Sequence, residues 1–241
     1  MDIDDAISRA RDDLRAHADP VKAPGRKNYL KTDLDVLGCG VPDVRRAAKS
    51  VKRAVRNPQT PDLTRALDAV WPSTVHDDRL LVIFVAQQFN ERFDASHVGG
   101  MFCDWIRDSH TWDVVDAICT FVVGHVAVAH PEAWREIARW TNDDWMWLRR
   151  ASLLCHIPAI RADALRLDQL RESCAALIDE KEFFIRKAIG WTIRELSDAD
   201  AKTAEKLILE LGPRMSGLTY REATRKLPAA ARTRIQKALA R

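Results

Sequence analysis

Apolar residues recur at i, i+3, i+4 and i+7 in window after window of this chain, while stretches of strict apolar–polar alternation are few. That period belongs to helices with one buried face. With only nine glycines and two tyrosines, it predicts an all-α protein without strands. Breaks interrupt the pattern at "KAPGR" (22–26), "GCGVP" (38–42), "NPQTP" (57–61), "WPST" (71–74), "GG" (99–100), "HP" (130–131), "TNDD" (141–144), "HIPAI" (156–160), "LGP" (211–213) and "LP" (227–228). They leave helices of roughly 10 to 18 residues. Such helices on short turns suit a compact bundle or, with a modest edge, a HEAT-like solenoid, a curved stack of antiparallel helix pairs with one concave face and a repeat of roughly 40 residues. Helical segments beginning at Trp112, Trp147 and Trp191 lie 35 and 44 residues apart, which favours the stack. No linker rich in Ser, Gly or Pro divides the sequence, so residues 1–241 read as a single domain.

Composition narrows the function only slightly. The 241 residues carry 38 Lys+Arg against 35 Asp+Glu, a net charge of +3, so any role with nucleic acid or membrane must come from how the charges are arranged. Cys39, Cys103, Cys119, Cys155 and Cys174 are odd in number, widely spaced and set in apolar helical surroundings, as core thiols of a reducing cytoplasm are. The start, "MDIDDAISRARDDLRAH", is acidic and amphipathic, and the apolar run "LLVIFVA" falls well short of a membrane span. The expectation is a cytoplasmic protein, neither secreted nor membrane-spanning.

Candidate chemistry concentrates on three helices. In "SHTWDVVDAICTFVVGHV" (109–126), read as a helix starting near Ser109, the residues Val114, Val115, Ile118, Phe121, Val122 and Val123 form a core stripe. Asp116 interrupts the apolar run and shares a face with Trp112 at i, i+4. A lone aspartate there is more often a carboxylate bonded to a neighbouring helix. Asp113 is blander still, because a first-turn acid is favoured by the helix dipole. In "NDDWMWLRRASLLCHI" (142–157), Leu148, Ala151, Ser152 and Cys155 face inward, with Trp147 and Arg150 on a flank. In "KEFFIRKAIGWTIREL" (181–196), Phe184, Ile185, Ala188, Ile189 and Leu196 face inward, while Lys187, Trp191 and Arg194 follow at spacings of four and three. Any one such tryptophan is ordinarily a partner-burying or snorkelling residue. Three on successive repeats suit one groove that takes an extended anion with flat parts, such as nucleic acid. "GCG" lacks the continuation of a phosphate loop and reads as a turn. The seven histidines and five cysteines show no zinc spacing, so no metal is expected, and no G-x-S-x-G elbow is present.

The segments "WDVVDAI", "WLRRASLL", "KEFFIRKAIGWTIREL" and "LTYREATRKL", with "NYLKTDLDVLGCGVPDVRR" near the start, resemble the AlkD-type DNA alkylation repair family of HEAT-like-repeat DNA glycosylases. The resemblance touches nearly the whole chain, and "KEFFIRKAIGW" with W-D-x-V-D is its most specific part. The family's motif often opens with a Trp pair where this chain has Thr111-Trp112. The resemblance implies that Asp116 is the active-site aspartate, that Trp112 and Trp191 are its tryptophans, that Arg150 contacts DNA and that Tyr29 stands near the lesion. Arg149, Lys187 and Arg194 would hold phosphates. The implied partner is double-stranded DNA containing alkylated bases, bound by a monomer on the concave face and recognised through the backbone; no cofactor is required.

The implied reaction is excision of 3-methyladenine, 7-methylguanine or bulkier N3/N7 adducts. A purine alkylated there is already cationic and leaves as a neutral base, so no general acid is needed, unlike the two-carboxylate scheme of sugar hydrolysis. One carboxylate about 4 Å from the developing sugar cation contributes roughly 4 kcal/mol at an effective dielectric of 20, about a thousandfold in rate. A non-catalytic HEAT-like protein that binds damaged or distorted DNA is the alternative, and a protein-binding solenoid a third reading.

Overall fold

The computed structural model describes residues 1–109 and 111–240, and they divide into two compact units, Met1–Val122 and Val123–Arg241. The first unit contains α1 (Ile3–Ala16), α2 (Ala23–Leu30), α3 (Val41–Ala54), α4 (Thr60–Val70), α5 (His76–Gln88), the single turn α6 (Ala95–His97), α7 (Cys103–Asp108) and α8 (Trp112–Ile118). The second contains α9 (Gly124–Ala129), α10 (Trp134–Trp140), α11 (Met146–Leu154), α12 (His156–Arg161), α13 (Leu167–Leu177), α14 (Phe183–Ala199), α15 (Ala201–Leu211), α16 (Gly217–Ala223) and α17 (Ala229–Leu239). The fold is all-α, as the periodicity predicts. Among the described residues, β-structure is limited to an isolated bridge between Asp35 and Val75.

Local signals set the helix ends. The Asp2 carboxylate caps α1 by accepting from the Asp5 N–H, and Ile3, Ala6, Ile7, Ala10 and Leu14 then bury one stripe. Asp200 and Ser216 cap α15 and α16 in the same way. Two expected breaks are helical. Pro24 of "KAPGR" sits in the first turn of α2, and "HIPAI" forms most of α12, because a proline near a helix start forfeits an N–H that has no intrahelical partner anyway. "GCG", expected as a turn, is irregular backbone leading into α3: Gly38 has φ +84°, and a Cβ on it would lie 2.2 Å from the Asp19 carbonyl oxygen.

In the first unit α3, α5 and α8 pack in succession, while α1 and α4 pack against this row. Helix α5 is buried from His76 through Ala86, so its polar groups need internal partners. Asp78 accepts from Arg11, Arg15 and Ser73. Burial pushes its carboxyl up, but those three hydrogen bonds outweigh it and hold the group below the usual range. In the second unit α11, α14 and α16 form one row and α13, α15 and α17 another. Gly190 lets α14 and α16 touch: a Cβ there would stand 2.6 Å from the Glu222 Cβ and 2.9 Å from the Thr219 carbonyl oxygen.

All five cysteines are buried and none forms a disulfide. The span expectation needs correcting. Trp112–Ala129, comprising α8, a π-turn at Cys119–Val123 and α9, is 18 residues with a mean hydropathy of 1.6, long and apolar enough to cross a membrane by length and composition. Two thirds of it lies inside the fold, as in the core helix of a globular protein.

Candidate active site

Helix α8 starts at Trp112, three residues after the expected Ser109, with Thr111 in extended backbone before it. Val114, Val115 and Ile118 fill the core, as do Val122 and Val123 beyond the helix, while Phe121 is only half-buried. Asp116 is 8 % exposed on the same helical face as the half-buried Trp112. Tyr29, near the end of α2, is 70 % exposed, and its ring meets Trp112 edge-on at 5.5 Å with an interplanar angle of 87°. The first unit therefore brings together three residues singled out from sequence: an exposed phenol, a tryptophan and a buried carboxylate.

Two residues beside them were not anticipated. His76 is wholly buried, and its Nε2, facing a carboxylate, donates to Asp113 Oδ2 at 2.8 Å. Thr111 Oγ1 lies 3.0 Å from the Leu30 carbonyl oxygen and 3.1 Å from Asp113 Oδ1. Asp113 is therefore more than a first-turn acid: it ties α8 to α5. Nothing in the spacing of "VHDD" and "TWDVVD" announces the pair, because only packing joins them.

The basic and aromatic residues of the second unit are arranged differently from expectation. Leu148, Ala151, Ser152 and Cys155 are fully buried, as predicted. Trp147 and Arg150, expected on a flank, are buried too, Arg150 being only 2 % exposed. Helix α11 packs against α10, α13 and α14, which cover its flanks as well as its stripe. Arg150 Nη1 donates to the Phe184 carbonyl, with the guanidinium 5.7 Å from the Phe184 ring. Arg149 makes a two-pronged contact with Glu180, at 2.6 and 3.2 Å.

On α14 the cations are also engaged. Lys187 Nζ lies 2.9 Å from Glu222 Oε2, and Arg194 pairs with the other oxygen of that carboxylate, which is itself buried. The Lys187 side chain remains 41 % exposed. Burial lowers the Arg194 guanidinium from its ordinary range. The half-buried Trp191 donates its indole N–H to Glu195 at 3.1 Å, and Arg161 holds the same carboxylate at 2.7 Å. Burial raises the Glu195 carboxyl, but the hydrogen bonds from Arg161 and Trp191 leave it below the usual range. Among the described residues no group of three or more His, Cys, Asp and Glu is placed to hold a metal ion.

A family described as "DNA alkylation repair enzyme" has a sequence model that matches residues 10–227. A solved structure described as a predicted DNA alkylation repair enzyme from Enterococcus faecalis is 25% identical, with a TM-score of 0.77 over 88% of this chain and 97% of its own. AlkD2 from Streptococcus mutans, 15% identical, has a TM-score of 0.57 over 86% of this chain and 99% of its own, a likeness of fold. No curated protein matches the chain.

Proposed function

The chain belongs to the DNA alkylation repair enzyme family, and from that premise we propose that it is a monofunctional DNA glycosylase that hydrolyses the N-glycosidic bond of cationic alkylated purines in duplex DNA. The observation that carries the proposal is the Tyr29–Trp112–Asp116 group, in which a carboxylate shares a helical face with a tryptophan that itself touches an exposed tyrosine.

In this reading Asp116 stabilises the sugar cation that forms as the base departs and orients the attacking water. The low dielectric around a buried carboxylate strengthens that interaction. Trp112 and Tyr29 offer ring faces and edges to the deoxyribose and its phosphates, and the negative ring faces favour the same positive charge. Trp191, fixed by Glu195, packs against the backbone. Lys187 is the cation best placed to exchange its carboxylate for a phosphate, because its side chain is partly exposed. Arg149 and Arg194 are held by Glu180 and Glu222, and Arg150 chiefly braces α11 against α14.

The test is single-turnover release of base from a duplex containing one 7-methylguanine, comparing the wild type with Asp116→Asn at matched DNA occupancy. A loss of about a thousandfold with binding retained is expected. Tight, salt-sensitive binding without excision of 7-methylguanine, 3-methyladenine or a bulky N3-adenine adduct would instead establish the non-catalytic reading.

A further inference from the structure

We propose, on the reading of Trp112 and Asp116 just given, that His76 is a positioning residue for that pair and acts through Asp113. His76 opens α5, and its backbone N–H donates to the Asp35 carbonyl at 2.8 Å, while the Asp35 N–H donates to the Thr74 carbonyl at 2.8 Å. The segment that follows α2 therefore fixes where the imidazole stands. From that place Nε2 reaches Asp113 Oδ2 at 2.8 Å, in the first turn of α8. The other Asp113 oxygen is 3.1 Å from Thr111 Oγ1, which is 3.0 Å from the Leu30 carbonyl oxygen. Leu30 adjoins Tyr29, and the Tyr29 ring returns to α8 by its edge-on contact with Trp112. Thr111 has one hydroxyl proton to share between the Leu30 carbonyl and Asp113, so the contacts run as a path from α2 and the segment after it, through His76 of α5, to the first turn of α8.

A first-turn aspartate is favoured by the helix dipole without any side-chain partner. The two contacts of Asp113 add direction instead. Helix α8 opens the 18-residue helical run Trp112–Ala129, and holding Asp113 against α5 in its first turn limits rotation of that end about the helix axis. Trp112 precedes Asp113 by one residue and Asp116 follows it by three, so both are carried by that rotation. Charge stabilisation depends on such preset geometry, and a displacement of about 1 Å costs on the order of a hundredfold in rate. His76 Nδ1 is buried with no hydrogen-bond partner among the described residues, so the imidazole serves this path through Nε2. Glutamine, whose amide nitrogen can take the place of Nε2, is therefore the conservative replacement.

The experiment uses the full chain labelled with 5-fluorotryptophan, the Trp112 resonance being assigned by its disappearance in Trp112→Phe. His76→Leu is expected to shift that resonance and to slow single-turnover excision of 7-methylguanine by about a hundredfold at unchanged duplex affinity. His76→Gln is expected to restore both. Thr111→Val, which breaks the path from the other side, is expected to move the resonance as well and guards against misfolding of the leucine variant. An unmoved Trp112 resonance in folded His76→Leu and Thr111→Val, or a glutamine variant no better than leucine, would overturn the proposal. If the wild type excises nothing, the glycosylase reading falls, while the fluorine spectra still decide the positioning role.

Discussion

The start of α8 and the packed pair α14–α16 both carry aromatic and charged residues at helical spacing, yet they dispose of them in opposite ways. At α8 the path through His76, Asp113 and Thr111 leaves Tyr29 exposed and Trp112 half-buried beside Asp116. At α14 the charges are spent on one another: Lys187 and Arg194 share Glu222, and Trp191 and Arg161 share Glu195. A charge on a helix flank is thus not a charge available to a ligand. Surface ion pairs stabilise little, but a pair on a buried carboxylate must be broken before its cation can meet a phosphate.

The largest expected effect tests the first region. Asp116→Asn should lower single-turnover excision by about a thousandfold while leaving DNA affinity nearly unchanged; a variant of wild-type rate would remove the catalytic distinction between the two regions.

The second compares two buried histidines, His76 and His156. His76 has Asp113, whereas His156 has no hydrogen-bond partner on either nitrogen among the described residues and stacks on Trp134 at 4.6 Å. Burial pushes the His156 pKa down to about 3 from 6.5. Above pH 6.5 the ring is neutral in both folded and unfolded chains. Below it only the unfolded chain takes up the proton, so this group removes roughly 1.4 kcal/mol of stability per pH unit until about pH 3. Urea unfolding at pH 7.5 and 5.0 should show a smaller acid loss for His156→Leu than for the wild type.

Gly190→Ala comes third. Its methyl group would press on the Glu222 Cβ at 2.6 Å, and the α14–α16 contact should lose about 1–3 kcal/mol, read as a lower denaturation midpoint. An unaffected midpoint would mean that the two helices can part without cost.

Glu222→Gln is subtler. If Glu222 is what withholds Lys187 and Arg194 from DNA, the slope of log affinity against log salt should steepen by about 0.9 for each cation released to a phosphate. An unchanged slope would show that these cations are no reserve for DNA. The smallest effect belongs to Tyr29→Leu, which removes an edge-to-face contact of about 0.5–1.5 kcal/mol and should alter the Trp112 environment more than global stability.

Several of these features were legible from spacing alone. The stripe of Leu148, Ala151, Ser152 and Cys155 followed from helical period, as did the shared face of Trp112 and Asp116. The burial of Trp147 and Arg150 did not, since a flank becomes interior only when neighbouring helices cover it. "HIPAI" and "KAPGR" read as breaks yet fold into helices, because proline marks a helix start as readily as an interruption.

The sequence by itself determined the all-α class, most inward stripes, the buried thiols and, through its motifs, the family, because these depend on local period and residue type. Tertiary structure decided which polar groups meet: Tyr29 with Trp112, His76 with Asp113, and Lys187 and Arg194 with Glu222. Each such meeting joins residues far apart along the chain, and a hydrogen bond or ion pair forms only when packing brings donor and acceptor within a few ångströms.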